Sequence, residues 1–442
     1  MGERLCSVGV DVGTTTTQLI VSRIHVENRA SAFAVPEMEI RERQVVYRSP
    51  VYFTPLIRDQ RVDGEKIREI ITREYAQAGI TRETVDTGAV IITGETSRKE
   101  NAAAVLENLS DLAGDFVVAT AGPHLESVLA AKGAGAVTWS EETGRRVMHF
   151  DIGGGTSNLA LIEAGEIRQT GCLNVGGRLV KLDDAGRVTY VSPVLEELCK
   201  LKAGEPVTEN QLREVAQLLV QGLEMAAGLR EPTELLARLW TREAGPMWAS
   251  APADAVFSFS GGVADCIRRH HNWLAFGDMG PVLGQAIRES RLCSREYRLG
   301  AETIRATVIG AGCHSAQLSG STVFYRNVEF PLKNLPVVTE TAELAGLDGP
   351  GVLVVSGVRD AGYAAICDLA DGLAAEMAGP VLLALEEDAA KALGHALALR
   401  LPGDRPILCI DRVRLRAGDY LDVGSPVGPA LPVVVKTLIL EG

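Results

Sequence analysis

Hydrophobic residues along the chain form short runs that alternate with segments of helical spacing. An apolar strand is predicted at 6–12, and the apolar pattern resumes at 19–21 after a turn rich in glycine and threonine, which is typical of a hairpin. Between residues 67 and 75, apolar residues share one face of a helix for which Asp63 supplies the cap. Further strands and helices alternate after it, and this alternation predicts a largely parallel sheet.

The opening pattern occurs a second time. In each copy a strand ends in an aspartate, a turn of glycine and hydroxyl residues follows, and a second strand completes the hairpin. The aspartates, Asp11 and Asp151, are 140 residues apart. A repeat at the spacing of a whole domain predicts an internal duplication and excludes a solenoid of short period. A later apolar strand at 255–260 ends in a further pair of glycines.

Three regions are predicted from this pattern. Regions 1–145 and 146–335 each contain one copy of the repeat, and in region 336–442 strands alternate with helices rich in alanine and leucine. Short late strands are also expected at 306–309 and 322–325. The predicted fold class is therefore α/β, with two duplicated lobes, an additional C-terminal α/β segment and approximate boundaries between them.

The composition narrows the classes of function. Of the 442 residues, 44 are Lys or Arg and 57 are Asp or Glu, so the net charge is −13 and the pI about 5.2. This balance argues against a nucleic-acid-binding protein and against docking on anionic lipid. We expect no membrane helix and no signal peptide, because no apolar run is long enough. Eight cysteines without a C-x-x-C pair indicate free thiols in a reducing cytosol.

The two turns carry groups suited to a polyphosphate. Glycines allow the main chain to approach phosphate closely, and neighbouring hydroxyl groups supply hydrogen bonds. Asp11 and Asp151, each ending a strand, are the expected ligands of a Mg²⁺ ion that bridges phosphate oxygens. The sequence contains neither a G-x-x-x-x-G-K-[ST] loop nor a dinucleotide-binding G-x-G-x-x-G unit. The candidate phosphate-binding positions are Gly13, Thr14, Thr15, Thr16, Gly153, Gly154, Gly155, Thr156 and Ser157.

Three segments together resemble the motifs of the actin/Hsp70/sugar-kinase ATPase superfamily. Residues 11–16 resemble its first phosphate motif, 151–157 its second and 256–262 its adenosine motif, in the same order and at fitting spacing. The resemblance extends from the N-terminus to about residue 330. It implies two actin-like lobes that close on Mg-ATP, with Gly261 and Gly262 against the nucleotide.

A more particular resemblance covers nearly the whole chain. Residues 9–18, 93–101, 149–158 and 432–438 are similar to the ethanolamine ammonia-lyase reactivating factors, chaperone-like ATPases of ethanolamine utilisation. The resemblance implies that ATP is used to release damaged cobalamin from ethanolamine ammonia-lyase, so that intact adenosylcobalamin can enter. Cobalamin would then be handled on the partner enzyme and not bound tightly here. The expected location is the cytoplasm, with bacterial microcompartment association and homo-oligomerisation as further options.

The catalytic carboxylate is less clearly marked than the phosphate turns. The first turn lacks the lysine found in the chaperones and actins, and the carboxylate that orients the attacking water usually precedes the second phosphate motif. Glu126, Glu141 and Glu142 are the candidates. Glu126 is favoured because it lies one strand–helix step before the second turn, and Asp151 is the alternative as a residue that polarises water directly.

Two other functions stay open at this point. A small-molecule kinase of the same fold would need an acidic base to deprotonate a substrate hydroxyl, and no clear sugar-binding motif is present. A structural or scaffold protein would bind nucleotide without turnover, and its sign would be a self-complementary apolar surface.

Overall fold

The computed structural model describes residues 3–13, 16–28, 38–57, 61–93, 117–120, 122–244, 252, 254–314, 316–318, 323–347, 349–356, 362–413, 415, 419–426 and 430–437. The helical spacing of Ala102, Val105, Leu106 and Leu109 predicts a helix from about residue 97, and this segment lies outside the described residues. Among the described helices, none combines the length and hydrophobicity needed to cross a membrane.

The first lobe is built on a sheet with strand order β3-β2-β1-β7-β8, in which β4 extends β2. β1 pairs antiparallel with β2 and parallel with β7, so the predicted opening hairpin leads into a parallel sheet. The elements of this lobe are β1 (Glu3–Val12), β2 (Thr16–Asn28), β3 (Met38–Arg48), β4 (Tyr52–Phe53), β5 (Leu56–Ile57), β6 (Arg61–Val62), α1 (Gly64–Ala78), a 3₁₀ turn (Arg82–Thr84), β7 (Thr87–Ile92) and β8 (Val117–Thr120).

The second lobe repeats this topology. Its sheet has the order β11-β10-β9-β14-β15, again with two antiparallel pairs followed by two parallel pairs. The described elements from here to the third unit are α2 (Pro123–Gly133), α3 (Ala136–Thr143), β9 (Val147–Ile152), β10 (Ser157–Glu163), β11 (Glu166–Leu173), β12 (Val180–Leu182), β13 (Val188–Val191), α4 (Pro193–Glu196), α5 (Glu209–Ala226), α6 (Glu234–Leu239), a 3₁₀ turn (Arg242–Ala244), β14 (Val256–Ser260), α7 (Gly262–Arg268), α8 (Gly280–Arg288), β15 (Tyr297–Leu299) and α9 (Ala306–His314).

The third unit is an eight-stranded sheet with the order β16-β23-β22-β18-β19-β20-β21-β17. Its buried side chains pack on both faces, and β16 and β23 contact β3 and β8 of the first sheet. Its elements are β16 (Ala316–Leu318), β17 (Phe324–Arg326), β18 (Leu332–Val338), a 3₁₀ helix (Thr341–Gly346), β19 (Val352–Val355), α10 (Tyr363–Glu376), β20 (Val381–Leu385), α11 (Ala390–Ala398), β21 (Ile407–Ile410), β22 (Asp419–Val423) and β23 (Pro432–Thr437).

The predicted α/β fold with duplicated actin-like lobes and a C-terminal α/β segment is thus confirmed. Caps predicted from the sequence are also present, since the Asp63 side chain accepts from the Lys66 amide at the start of α1. The boundaries 1–145, 146–335 and 336–442 stay predictions. The third sheet already takes strands from residue 316 onwards, and the strand predicted at 306–309 was wrong, because this segment begins α9.

Two helices cross between the lobes. α2 leaves the first sheet and packs on β10 and β11 of the second, whereas α9 leaves the second sheet and packs on β1 and β2 of the first. Where they meet, a Cβ on Gly133 would lie 1.9 Å from the Ala306 carbonyl oxygen, and one on Gly310 would lie 2.0 Å from that of Leu129. Only glycine permits backbones to approach this closely.

We predict that Gly133→Ala destabilises the protein although alanine is the better helix former. Overpacking of a tight contact costs about 1–3 kcal/mol, which exceeds the gain of about 1 kcal/mol in helix propensity. Gly122→Ala, at the start of the same helix, is the control, because a Cβ there meets no atom of the described residues within 4 Å. Urea unfolding of both variants measures the difference, and equal stability of the two would contradict the close crossing.

Candidate functional site

The two phosphate-like turns have the same geometry. The Gly13 amide donates to the Thr16 carbonyl at 2.9 Å, and the Gly153 amide donates to the Thr156 carbonyl at 2.9 Å. The turns therefore close the two hairpins in the same way, as expected for a duplicated unit. In the second lobe a further loop packs beneath the turn, where the Arg178 amide donates to the Gly154 carbonyl at 2.7 Å.

A cavity of about 420 Å³ lies where the two turns face each other. This volume is within the range of pockets that hold small ligands, roughly 300–1,000 Å³. Its walls come from both lobes and from the crossing helices. Among the residues predicted from the sequence, those that line it are Asp11, Gly13, Thr16, Glu126, Asp151, Gly153, Gly154, Gly155, Thr156, Gly261 and Gly262.

Three predicted residues are not found at the cavity wall. Thr14 and Thr15 lie outside the described residues. Ser157 is buried on the other side of its strand, where its hydroxyl donates to the Val175 carbonyl at 2.7 Å. Ser157 thus stabilises the base of the turn, and the roles assigned to the other residues stay predictions.

Asp11 ends β1 at the cavity. Its Oδ1 accepts a hydrogen bond from the Thr93 hydroxyl at 2.8 Å. Burial, joined by the negative charges of Glu126 and Asp151, raises the pKa of Asp11 to about 7, although the hydrogen bond from Thr93 lowers it. The three carboxylates are therefore close enough to interact, and a cation among them would relieve their repulsion.

Asp151 ends β9 and is held by a buried chain of hydrogen bonds. Its Oδ1 accepts from the Ser260 hydroxyl at 2.5 Å, and its Oδ2 accepts from Thr307 of α9 at 3.5 Å. Behind Ser260, the fully buried His149 joins Ser260 and Ser258 at 2.9 and 3.1 Å. Burial raises the pKa of Asp151 to about 6 and lowers that of His149 to about 3, so the imidazole is neutral at pH 7.

Glu126 extends from the first turn of α2 into the cavity and is buried. Its Oε2 accepts a hydrogen bond from the side-chain amide nitrogen, Nδ2, of Asn158 on β10 at 2.8 Å. Glu141 and Glu142 are exposed on α3 and do not line the cavity. Of the three glutamates considered from the sequence, Glu126 alone has the position that a water-orienting carboxylate requires.

The cavity wall carries a surplus of negative charge. Among the described residues that line it, the guanidinium of Arg178 is the only basic group, and it pairs with Asp278 at 3.2 Å. Arg178 also lies 5.7 Å from the ring centre of Phe53, which belongs to the first lobe. The acidic residues at the wall are Asp11, Glu126, Asp151, Asp265 and Asp278.

The oxygen-rich wall suits a hydrated hard cation. Within the described part of the chain, no three His, Cys, Asp or Glu side chains form a group that could hold a metal ion alone. Mg²⁺ keeps several water ligands and usually takes one or two carboxylates plus phosphate oxygens, which matches Asp11 and Asp151. Such an ion would also offset the charge that otherwise repels a polyphosphate.

Several residues of the wall were missed by reasoning from the sequence. Gln18 and Asn158 stand seven positions after Asp11 and Asp151, so comparison of the two repeats could have found them. No sequence signal singles out the rest, because loops and the helices α7, α8 and α9 bring them to the cavity. The missed residues are Gln18, Thr93, Asn158, Gly177, Arg178, Val263, Asp265, Cys266, Phe276, Asp278, Gly280, Ile304 and Thr307.

Two lobes of the same topology, with a cavity between equivalent Gly-hydroxyl turns, define a protein of the actin-like α/β class. The family model of "Ethanolamine utilisation protein EutA" matches residues 3–348 and 343–441. The chain belongs to the EutA family.

Curated relatives align over nearly the whole chain. "Ethanolamine ammonia-lyase reactivase EutA" of Salmonella typhimurium strain LT2 is 40% identical over 468 aligned residues, covering 98% of each chain. The protein of the same name from Escherichia coli K12 is 40% identical over 469 residues, again covering 98% of each. The crystal structure of ethanolamine utilization protein EutJ from Carboxydothermus hydrogenoformans is 18% identical, covers 69% of this chain and 88% of its own, and has a TM-score of 0.36, a distant likeness.

We predict that Gly155→Val weakens Mg-ATP binding at least about tenfold and leaves folding unchanged. A Cβ at Gly155 meets none of the described atoms within 4 Å, so a branched side chain would extend into the cavity without disturbing the described residues around it. Gly261→Val is the contrast, since Gly261 has φ +86° and its Cβ would lie 2.3 Å from the Ile152 carbonyl. Calorimetric titration and thermal unfolding measure the two effects, and unchanged affinity in folded Gly155→Val would contradict the assignment.

We also predict that the stability difference between Asp11→Asn and the wild type depends on pH. A raised pKa means that native Asp11 holds a proton between about pH 4 and 7, where the unfolded chain has lost it, so this contribution to stability falls as pH rises. Asn does not titrate. In the absence of nucleotide and metal, the free energy of unfolding of the variant therefore rises relative to that of the wild type by up to about 1.4 kcal/mol for each unit of increasing pH, until about pH 7. Urea unfolding from pH 5 to 8 tests this, and a constant difference would show that Asp11 is ionised throughout.

Proposed function

We propose that the chain is an ATP-dependent reactivating factor for ethanolamine ammonia-lyase, with Mg-ATP bound in the cavity between the lobes. The observation that carries the nucleotide site is the pair of equivalent turns facing one cavity, with Asp11 and Asp151 behind them. The family supports the partner, because relatives aligned over 98% of the chain are named reactivases of that enzyme.

In this proposal the amide groups of the two turns bind the phosphates, and Gly261 and Gly262 lie against the nucleoside. At position 262 glycine leaves the cavity wall open, since among the described atoms a Cβ there would approach Ile304 alone, at 4.0 Å, whereas Gly261 is required by its positive φ and by the Ile152 carbonyl 2.3 Å from where its Cβ would lie. Asp11 and Asp151 take part in holding Mg²⁺, which when bound would neutralise phosphate charge and stabilise the charge that develops during hydrolysis.

Glu126 is the proposed general base. It is buried, its orientation is fixed by the Asn158 amide, and its carboxylate faces the cavity from α2. From there Glu126 accepts a proton from the water that attacks the terminal phosphate. Asp151 is the proposed second catalytic group, and the Ser260 and Thr307 hydroxyls keep its carboxylate in place.

ATP turnover then changes the surface offered to the partner. Contacts with the terminal phosphate favour a closed arrangement of the lobes, and their loss on hydrolysis releases it. The third sheet contacts the first lobe through β16 and β23, so lobe movement reaches region 336–442, the proposed partner-binding part. Damaged cobalamin leaves ethanolamine ammonia-lyase as a result, and this chain does not need to bind it tightly.

The cytoplasm, with association with a bacterial microcompartment, is the proposed location. Seven cysteines have side chains that the structure describes, and all seven are free thiols, which supports a reducing environment. Self-association into a homo-oligomer is a further proposal, which sedimentation of the purified protein would test.

We predict that the protein, with ATP and Mg²⁺, restores activity to ethanolamine ammonia-lyase inactivated by cyanocobalamin when fresh adenosylcobalamin is present. Glu126→Gln keeps a side chain of the same size at the cavity, so Mg-ATP binding persists, while loss of a general base lowers hydrolysis about 10²- to 10⁴-fold. Glu141→Gln, on the exposed surface of α3, is the matched control and behaves as the wild type.

The assay also separates the other two functions. Hydrolysis without reactivation, together with phosphorylation of a small alcohol or acid, would overturn the reactivase and indicate a kinase. Nucleotide binding with no turnover and no reactivation would indicate a scaffold. Reactivation by Glu126→Gln at the wild-type rate would remove Glu126 from the mechanism.

A further inference from the structure

Two amide side chains occupy equivalent positions in the duplicated hairpins. The strand register places Gln18 opposite Asp11 in the first hairpin and Asn158 opposite Asp151 in the second. Both amides line the cavity, and they are 3% and 4% exposed. Each lobe therefore presents an acid and an amide side by side on neighbouring strands.

The hydrogen bonds of these amides fix which way they face. Gln18 donates from Nε2 to the Ile304 carbonyl at 3.2 Å, and Asn158 donates from Nδ2 to Glu126 at 2.8 Å. A carbonyl or a carboxylate can only accept, so in both cases the nitrogen must face the partner. The oxygen of each amide is thereby directed away from that partner.

Within the described part of the chain, neither amide oxygen has a hydrogen-bond partner. Gln18 Oε1 and Asn158 Oδ1 are both buried and unpaired among the described residues. Buried polar atoms are normally satisfied, and an unsatisfied one carries an energetic cost that needs a reason, such as an ion or ordered water that completes it. Two such atoms at equivalent positions of one cavity point to a shared ligand.

We propose that Gln18 and Asn158 are a pair of positioning residues whose amide oxygens, together with Asp11 and Asp151, hold the hydrated divalent cation that accompanies the nucleotide. The proposal rests on the proposed nucleotide site. Amide oxygens are hard ligands that suit Mg²⁺ and its water shell.

Neutral amide oxygens can contact a cation without adding negative charge to the cavity wall. Five carboxylates already line the cavity, and a further acid would add to the repulsion of a polyphosphate. An amide satisfies a cation or its water without that repulsion. The Asn158 side chain has a second role, because it also donates to Glu126 and thereby orients the proposed general base. Binding of the cation and the position of the base are therefore linked through this one residue.

The test compares matched variants. Gln18→Leu and Gln18→Glu both lose the N–H donor to the Ile304 carbonyl, but only the leucine variant also loses the side-chain oxygen that faces the cation. Asn158→Leu and Asn158→Asp make the same comparison for the hydrogen bond to Glu126. ADP affinity is measured by calorimetry with Mg²⁺ and with EDTA, and the ratio of the two is the gain due to the cation. We expect each leucine variant to reduce this gain about tenfold and the acidic variants to retain it.

Thr241→Val is the control for an unpaired buried oxygen elsewhere, since the Thr241 hydroxyl also finds no partner among the residues that the structure describes and does not line the cavity. We expect Thr241→Val to leave the Mg²⁺-dependent gain in ADP affinity unchanged. Leucine variants that fold and keep the full Mg²⁺-dependent gain would overturn the amide pair and leave the nucleotide site standing. A wild type that shows no gain at all would overturn both.

Discussion

The close crossing of α2 and α9 is the constraint on which the rest of the structure depends. Each helix leaves the last strand of one sheet and packs on the other, and Gly133 and Gly310 allow their backbones to touch. The same two helices carry Glu126 and Thr307 into the cavity. Because the helices cannot separate without losing this contact, the lobes are held at a distance that makes one cavity out of two turns.

The sequence was informative where the chemistry is local. The hairpins, their turns and the aspartates could be predicted, since turn residues and strand alternation leave a direct trace. The segment 306–309 was taken for a strand because short apolar runs do not distinguish a strand from a buried helix. The charged sequence of residues 26–44 shows no regular apolar pattern, yet β2 extends to residue 28 and β3 begins at 38. The charged side chains of β3 are tolerated there because they are exposed at a sheet edge.

The alternation of side chains along a strand explains which residues of the cavity wall could be predicted from the sequence and which could not. Successive residues of a strand point to opposite faces, so Thr156 and Asn158 reach the cavity while Ser157 between them turns inward to Val175. A motif taken as a block of adjacent residues includes Ser157 and leaves out Asn158. Arg178 could not be found in this way, because only the packing of its loop under the second turn brings it to the wall.

The acidic residues of the cavity wall couple cation binding to nucleotide binding in the proposed function. Asp11 and Asp151 hold protons more tightly than exposed carboxylates do, so in the absence of a cation the cavity is partly protonated near neutral pH. Cation and polyphosphate each reduce the cost of the other, and by linkage each must raise the affinity of the other by the same factor. In the proposed function, loss of the terminal phosphate would remove charge and ligands from this balance, and the lobes would respond across the glycine contact of α2 and α9. The proposed change at the cavity would reach the third sheet through β16 and β23, because these strands contact the first lobe.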